Sequence, residues 1–247
     1  MTGAIRSELR KIMTTRNPRS LLLVGSGVIA LLTWASIHGS DTATLPLDQQ
    51  IFLRLVVPQV MFTLVLVLGI RGFTDEFRHG SIVPTLLATP ERRRVISAKL
   101  VAVGAAAVVY AVVAEMVAIG VGTAVMASEG ISISAAAGPL ARELGLIVVA
   151  AAAWSAVGVG IGALVKHQVA AIVGSLVWLL IGESLIGVFL PSVAKYLPGS
   201  ASDSMIRLAV ADGTVLLPAL VGAAVFTAWM VGLVTAGAVA LERRDIA

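Results

Sequence analysis

Two glutamates, Glu115 and Glu183, lie inside long runs of apolar residues. An ionisable side chain is unfavourable in such a run unless it has a polar partner or a function. A carboxyl group at the middle of a bilayer costs at least about 2.5 kcal/mol and usually faces a cavity or a polar partner. For Glu183, two interpretations stand equally: a hydrogen-bonded contact between helices, or a wall of a translocation path for a cationic or polar group. For Glu115, the sequence favours the helix contact over the same translocation path.

Motifs for other chemistries are missing from the sequence. It contains no G-x-x-x-x-G-K-[ST] pattern, and therefore no phosphate-binding loop of an ATPase. The G-E-S-L-I segment that begins at Gly182 resembles a nucleophile elbow, but Ile186 stands where that motif requires glycine. The histidines His38, His79 and His167 are scattered and there are no cysteines, so we expect no catalytic residue, no metal site and no cofactor bound by this chain.

The composition is that of an all-α integral membrane protein. Hydrophobic residues make up 58% of the chain and charged residues only 13%, whereas soluble domains average about a quarter charged residues. The apolar runs are long and do not alternate, which favours a helical bundle over a β-barrel. No cleavable signal peptide is expected, because a polar segment of about twenty residues precedes the first apolar run.

Six apolar runs have the length of roughly 20 residues that a membrane-spanning helix needs. They are residues 20–37, 51–70, 100–126, 144–165, 169–190 and 214–241. An even number of spans puts both termini on one side, and 14 of the 18 Lys and Arg residues then fall on that side. The positive-inside rule therefore predicts that both termini and residues 73–99 lie in the cytoplasm.

Three shorter stretches predict how the spans are connected and packed. Only residues 166–168 remain between the fourth and fifth runs, which predicts a tight antiparallel hairpin. The glycines at alternate positions in residues 158–162 predict close helix packing through small residues. Residues 191–213 mix apolar and polar side chains and predict short helices at, or dipping into, the outer membrane surface.

Residues 1–18 predict a basic amphipathic helix on the membrane surface. Its apolar residues recur at helical spacing, Arg6 and Arg10 lie off that stripe, and Asn17-Pro18 is expected to end the helix. The helix is either a topological anchor or an elbow that contacts a cytoplasmic partner, and spacing alone does not choose between them.

The most charged part of the chain follows the second apolar run. Asp75 and Glu76 predict the start of a short helical turn, and Gly80 is a natural end for it. The S-I-V-P-T-L-L-A segment after Gly80 has apolar residues at helical spacing, and T-P-E at residues 89–91 predicts a new helix N-terminus. We therefore expect a short helix exposed to the cytoplasm between two membrane helices.

This segment resembles the cytoplasmic part of ABC-2 type transporter permeases, between their second and third helices. The shared pattern is E-x-x-x-G-[TS], then L-L-x-T-P, then basic residues and A-K-L. It is matched by Glu76, Gly80, Ser81, Leu86, Leu87, Thr89, Pro90, Ala98, Lys99 and Leu100. The resemblance extends over the whole chain, including an L-P-G element before the last span; Ser81 stands where the family usually has threonine.

The resemblance implies a single transmembrane domain over residues 1–247, in the bacterial cytoplasmic membrane. It would be the permease subunit of an ATP-driven exporter of a drug, antibiotic or lipid-like molecule. Residues 73–99 would form a coupling helix that docks on a separate nucleotide-binding subunit, which carries the ATP and Mg. A second permease protomer, identical or homologous, and membrane lipid would be the other partners, and nucleic acid is not expected. The implied docking residues are Glu76, Phe77, Arg78, Gly80, Ser81, Leu86, Leu87, Arg6 and Arg10.

Alternatives remain open on the residues alone. A secondary transporter or channel working without ATP predicts broken helices in corresponding places and paired charges at mid-membrane, but Glu115 and Glu183 have no obvious basic partner in the apolar runs. A membrane scaffold would bind a cytoplasmic partner and transport nothing. The lack of a catalytic motif disfavours an intramembrane enzyme.

Overall fold

A computed structural model describes residues 2–14, 16–39, 58–88, 91–128, 137–206 and 216–243. Within these ranges the regular secondary structure is helical. In chain order the helices are α1 (Thr2–Thr14), α2 (Arg16–Gly39), α3 (Pro58–Arg78), α4 (Ile82–Ala88), α5 (Arg92–Ser128), α6 (Ala137–Leu164), α7 (Gln168–Val177), a π-helical turn (Trp178–Gly182), α8 (Glu183–Phe189), α9 (Pro191–Ala194), α10 (Pro198–Ile206) and α11 (Ala219–Glu242).

Five helical stretches of the described chain are long and apolar enough to cross a membrane. They are Pro18–His38, Arg92–Ser128, Leu144–Leu164, Gln168–Phe189 and Ala219–Glu242. The protein is therefore an all-helical chain with the character of a multi-pass membrane protein. The predicted second span, residues 51–70, begins outside the described residues, so the count of six spans stays a prediction.

The predicted end of the N-terminal helix at Asn17-Pro18 is wrong. Helix α1 ends at Thr14, and Pro18 lies in the first turn of α2. A proline is tolerated there because the first backbone N–H groups of a helix have no partner within the helix. The Tyr110 hydroxyl on α5 donates a hydrogen bond to the Pro18 carbonyl, which attaches the beginning of α2 to α5.

The predicted helical turn that starts at Asp75 is also wrong. Helix α3 continues without a break to Arg78, so Asp75 and Glu76 lie in its last turn. The helix extends into the charged segment because Phe73 continues its apolar face and is fully buried. The chain then turns at Gly80, whose φ of 66° is the left-handed conformation that glycine tolerates. The expected end at Gly80 and the short helix after it are both confirmed.

Helix α6 lies at the centre of the bundle and packs against α3, α5 and α11. A Cβ atom on Gly162 would lie 2.5 Å from the Ile70 carbonyl oxygen of α3. A Cβ atom on Gly160 would lie 2.7 Å from the Leu233 carbonyl carbon of α11. The predicted close packing through these glycines is confirmed, since no larger residue fits between the backbones.

The two predicted connections after α6 are seen as well. Helix α6 ends at Leu164 and α7 begins at Gln168, so the short connection is confirmed, whereas α7 packs more on α3 than on α6. The short helices α9 and α10 lie in the predicted outer segment, whose residues 207–213 fall outside the described residues. Helix α10 packs on α11 and α6, and the Trp154 indole is 5.0 Å from the Phe226 ring between centroids.

Candidate functional site

Lys99, at the beginning of α5, is fully buried with its charge compensated. Its Nζ atom donates hydrogen bonds to Glu8 Oε2, Glu76 Oε1 and the Gly72 carbonyl oxygen, each at 2.8 Å. An ammonium group has three N–H donors, and all three have acceptors here. The same Nζ lies 5.2 Å from the centroid of the Phe73 ring, at cation–π distance.

Lys11 on α1 completes a cluster that we call the ion network: Glu8, Lys11, Glu76 and Lys99. Lys11 Nζ lies 2.6 Å from Glu8 Oε1 and 2.6 Å from Glu76 Oε1. Two ammonium groups and two carboxylates therefore neutralise one another. Because its members come from α1, the last turn of α3 and the first turns of α5, the ion network joins these three helices.

The ion network favours the ionised forms of Glu8 and Lys11, the two members on α1. Burial by itself raises the pKa of Glu8, but the Lys99 and Lys11 ammonium groups outweigh it and hold that pKa below its ordinary value. Burial by itself lowers the pKa of Lys11, but hydrogen bonds to Glu76 and Glu8 outweigh it and raise that pKa. Both groups are therefore ionised at neutral pH.

The residues predicted to dock on a partner separate into a buried and an exposed set. Glu76 is only 6% exposed and belongs to the ion network, so its side chain is not displayed on the surface of the described chain. Phe77 packs on the edge of the hydrophobic core, and the Ser81 carbonyl accepts a hydrogen bond from Thr85 Oγ1. Leu86 is a residue of α4. The exposed members are Arg6, Arg10, Arg78, Gly80 and Leu87.

The α6–α7 hairpin is attached to the same end of α3. The Gln168 side-chain N–H donates to Asp75 Oδ1 at 2.7 Å, and Arg78 donates to Gln168 Oε1 at 3.2 Å. Arg71 lies 3.3 Å from Asp75 Oδ2, one helical turn earlier. These contacts restrain the corner between α3 and α4 from a second side.

Arginines at the beginning of α5 hold the end of α11. Arg92 donates to the carbonyl oxygens of Leu241 at 2.5 Å and Glu242 at 3.0 Å, and Arg93 Nε lies 2.6 Å from Glu242 Oε1. Cations stabilise the carbonyl end of a helix because its last carbonyls lack intrahelical donors. These basic residues therefore fasten two helices together, a role the sequence did not indicate.

A cavity of about 500 Å³ lies among α3, α6, α8, α9 and α10, beside Trp154 of α6. We call it the outer cavity. Its aromatic walls are Phe62 and Trp154, and its carboxyl groups are Glu183 and Asp203. The other lining residues are Thr63, Leu179, Leu180, Ser184, Gly187, Val188, Ala194, Gly199 and Ser200.

Glu183 bridges α8 to the beginning of α10. The Gly199 N–H donates to both carboxylate oxygens of Glu183, at 3.1 and 3.0 Å. A carboxylate is favoured there because the first N–H groups of a helix have no other partner. A Cβ atom at position 199 would meet Glu183 Oε2, so a larger residue there would require the Glu183 side chain to shift. The π-helical turn directly before Glu183 shifts the face on which the following side chains lie, as such turns often do beside functional sites.

Asp203 is a cavity residue that the sequence analysis missed. Burial, and then the nearby Glu183 carboxylate, raise the pKa of Asp203 above its ordinary value. The available signal was spacing: Gly199 and Asp203 are four residues apart and share a face once residues 198–206 are known to be helical.

Glu115 is not brought together with Glu183. It lies on α5, outside the lining of the outer cavity, and its Oε2 atom is buried with no hydrogen-bond donor among the described residues. The described ranges also contain no group of three or more His, Cys, Asp or Glu side chains that could hold a metal ion.

No protein-family model matches this sequence, and a search of curated proteins finds no significant match. The assignment of a family therefore depends on the residues themselves.

Proposed function

We infer that this chain is the membrane-spanning permease subunit of an ATP-driven ABC-2 type exporter, with both termini in the cytoplasm of a bacterium. The observation that carries the proposal is the ion network. The acidic residue of the ABC-2 pattern, Glu76, and its lysine, Lys99, lie 23 residues apart and meet as a buried ion pair at 2.8 Å. The pattern therefore has a physical meaning in this chain, because its two charged ends hold α3 against α5.

The ion network makes α1, the end of α3 and the beginning of α5 one mechanical unit. Pulling Lys99 away from Glu8 and Glu76 would leave buried charges without partners, which costs about 3–5 kcal/mol. A force applied to α4 would therefore move these three helices together. Such a unit is what a coupling device needs, since it must transmit a displacement at the cytoplasmic end into the bundle.

The surface for the nucleotide-binding subunit would be the docking face, which we define as Arg6, Arg10, Arg78, Val83 and Leu87. Leu87 is 78% exposed and Val83 is 41% exposed, and all three arginines are exposed. In this proposal the apolar residues would form the centre of the interface and the arginines its charged rim, which is the common anatomy of a protein–protein interface. The basic rim suits a groove with acidic edges. In this proposal Glu76 is a positioning residue that holds the docking face in place.

Export would follow from closure of two nucleotide-binding subunits on ATP. Their movement would shift the docking face of each permease protomer, and a path between two protomers would open outward. The ligand must contact the inward and outward states differently for such a cycle to move it. The resemblance to ABC-2 type permeases implies that the exported substrate is a drug, an antibiotic or a lipid-like molecule.

The test is mild-detergent purification of the tagged chain from its native host, with mass spectrometry of the proteins that co-elute and an ATPase assay. We expect a stoichiometric partner that carries a phosphate-binding loop. Leu87→Ala should reduce its recovery about tenfold, because truncation of an exposed apolar anchor at an interface costs about 1.4 kcal/mol or more.

The matched control is Val169→Ala, which truncates another exposed apolar side chain beside the α6–α7 hairpin but outside the docking face. It should leave recovery unchanged. Repeated isolation of the chain without an ATPase would overturn the proposal. Transport driven by an ion gradient in liposomes would then favour a secondary transporter, and no transport at all would favour a scaffold.

A further inference from the structure

The outer cavity has the size and lining of a ligand site. Its volume of about 500 Å³ lies within the range of roughly 300–1,000 Å³ that is typical of small-molecule pockets. Such pockets combine mostly apolar walls with a few polar groups that fix the orientation of the ligand. Here Phe62 and Trp154 supply aromatic walls, and Glu183 and Asp203 supply carboxyl groups.

The charged groups that line the outer cavity are two carboxyl groups, those of Glu183 and Asp203. Glu183 accepts from the Gly199 N–H and also interacts with the Ser200 N–H and the Trp178 side chain, and Asp203 adds a second carboxyl group beside it. Among the described residues, no Lys, Arg or His lines the cavity. An anionic ligand would find no positive charge on this lining, whereas a ligand with N–H groups or positive charge would find two carboxyl groups.

The aromatic walls favour an organic cation over a hydrated metal ion. The Trp154 Nε1–H is already bonded to Ser202 Oγ at 2.9 Å, so this indole lines the cavity without a free donor. Aromatic faces attract ammonium and related cations, and they also cover an apolar body. Calcium instead takes six to eight oxygen ligands, which an aromatic wall cannot supply.

We propose that the outer cavity binds a lipophilic organic cation, with its positive charge between Glu183 and Asp203 and its apolar body against Phe62 and Trp154. Binding needs only this chain. That the bound cation is also the exported substrate rests on the proposed function.

The binding test uses radiolabelled tetraphenylphosphonium and the purified full-length chain in detergent, without ATP. Tetraphenylborate, which has the same shape and the opposite charge, is the matched ligand. We expect saturable binding of the phosphonium and none of the borate. Equal binding of both ions, or of neither, overturns the proposal.

Variants localise the site. Glu183→Gln and Asp203→Asn should each weaken phosphonium binding at least tenfold. Glu115→Gln, the same change at a carboxyl group outside the cavity, should alter it less than twofold. Phosphonium binding that survives both cavity substitutions overturns the proposal.

A third variant tests the site without changing a carboxyl group, so its result does not depend on whether the carboxylate variants fold. A Cβ atom on Gly187 would have no neighbour within 4 Å, so Gly187→Leu fills the outer cavity without changing a charge. It should abolish phosphonium binding and leave the elution profile of the chain unchanged. Full binding to this variant contradicts the proposed site.

A separate measurement addresses the exported substrate. In the complex with its nucleotide-binding subunit, the phosphonium should stimulate ATPase activity of the wild type and not of Asp203→Asn. If the chain binds the phosphonium but no ATPase partner is found, the exporter proposal is overturned and the cation-site proposal is supported. If the ATPase complex is active but its chain does not bind the phosphonium, the cation-site proposal is overturned and the exporter proposal is supported.

Discussion

At the scale of residues, the ion network explains why a chain that is 13% charged keeps charges in a buried place. Lys99 is the central member, because it is fully buried and contacts both carboxylates. Surface ion pairs contribute little to stability, whereas removing one partner of a buried pair leaves the other charge unsolvated. The cost of a substitution should therefore depend on burial and far less on the ion-pair distance.

Lys99→Met should destabilise the protein by about 3–5 kcal/mol, since Glu8 and Glu76 would then share only Lys11. Thermal unfolding in detergent measures the effect. Adding Glu76→Gln to this variant should recover part of the loss, because it removes the uncompensated negative charge.

The control for Lys99→Met is Arg94→Ala. Arg94 pairs with Glu91 at 2.6 Å, but both side chains are more than half exposed. This substitution should change stability by less than about 1 kcal/mol. If the two single substitutions cost the same, Lys99 does not hold the helices together.

At the scale of elements, α6 joins the close packing of the bundle to the outer cavity. Its glycines let α3 and α11 approach at backbone distance, and its Trp154 lines the outer cavity. Packing this close gives neighbouring helices little freedom to slide independently. The contact of α3 with α6 is therefore a rigid link between the ion network and the outer cavity.

Gly162→Ala should destabilise the protein by about 1–3 kcal/mol, because the new methyl group meets the backbone of Ile70 and cannot be relieved by a side-chain rotation. Gly104→Ala on α5 is the matched control. A Cβ atom at position 104 has no neighbour within 4 Å, so this change should be neutral or stabilising by up to about 1 kcal/mol. Equal unfolding temperatures for the two variants would show that α3 and α6 do not pack this closely.

At the scale of the whole molecule, the ion network and the outer cavity lie near opposite ends of α3. Glu76 of the ion network is in the last turn of α3, and Phe62 of the outer cavity lies near its beginning. The distribution of Lys and Arg predicts that the end with the ion network is cytoplasmic. An exporter requires this separation, since energy enters on one side and the ligand leaves on the other.

Because the chain contains no cysteine, single cysteines can report the orientation. A membrane-impermeant maleimide should label Ser192→Cys on α9 in intact cells. It should label Arg94→Cys on α5 only after the membrane is permeabilised. Both positions are exposed and lie outside the docking face, so burial does not limit either reaction. Labelling of Arg94→Cys in intact cells would contradict the predicted orientation.

The sequence by itself determined the features that depend on local composition and spacing. Apolar runs predict helices of membrane-spanning length, glycine spacing predicts the close contacts of α6, and Gly80 predicts the end of α3. These properties are set by residues within a few turns of one another. The short helices α9 and α10 and the short connection between α6 and α7 were predictable for the same reason.

Only the tertiary structure decided which charges meet. Glu8 and Lys99 are 91 residues apart, and Glu183 and Gly199 are 16 apart, so no local pattern connects them. Asp75 and Glu76 resemble the first residues of a helix because acids favour that position, but the apolar face of α3 continues past them. In the last turn of α3, Lys11 and Lys99 pair with Glu76, and Arg71 and Gln168 contact Asp75. A buried charge is tolerated where distant helices bring it a partner, and that partner is known only once the helices pack together.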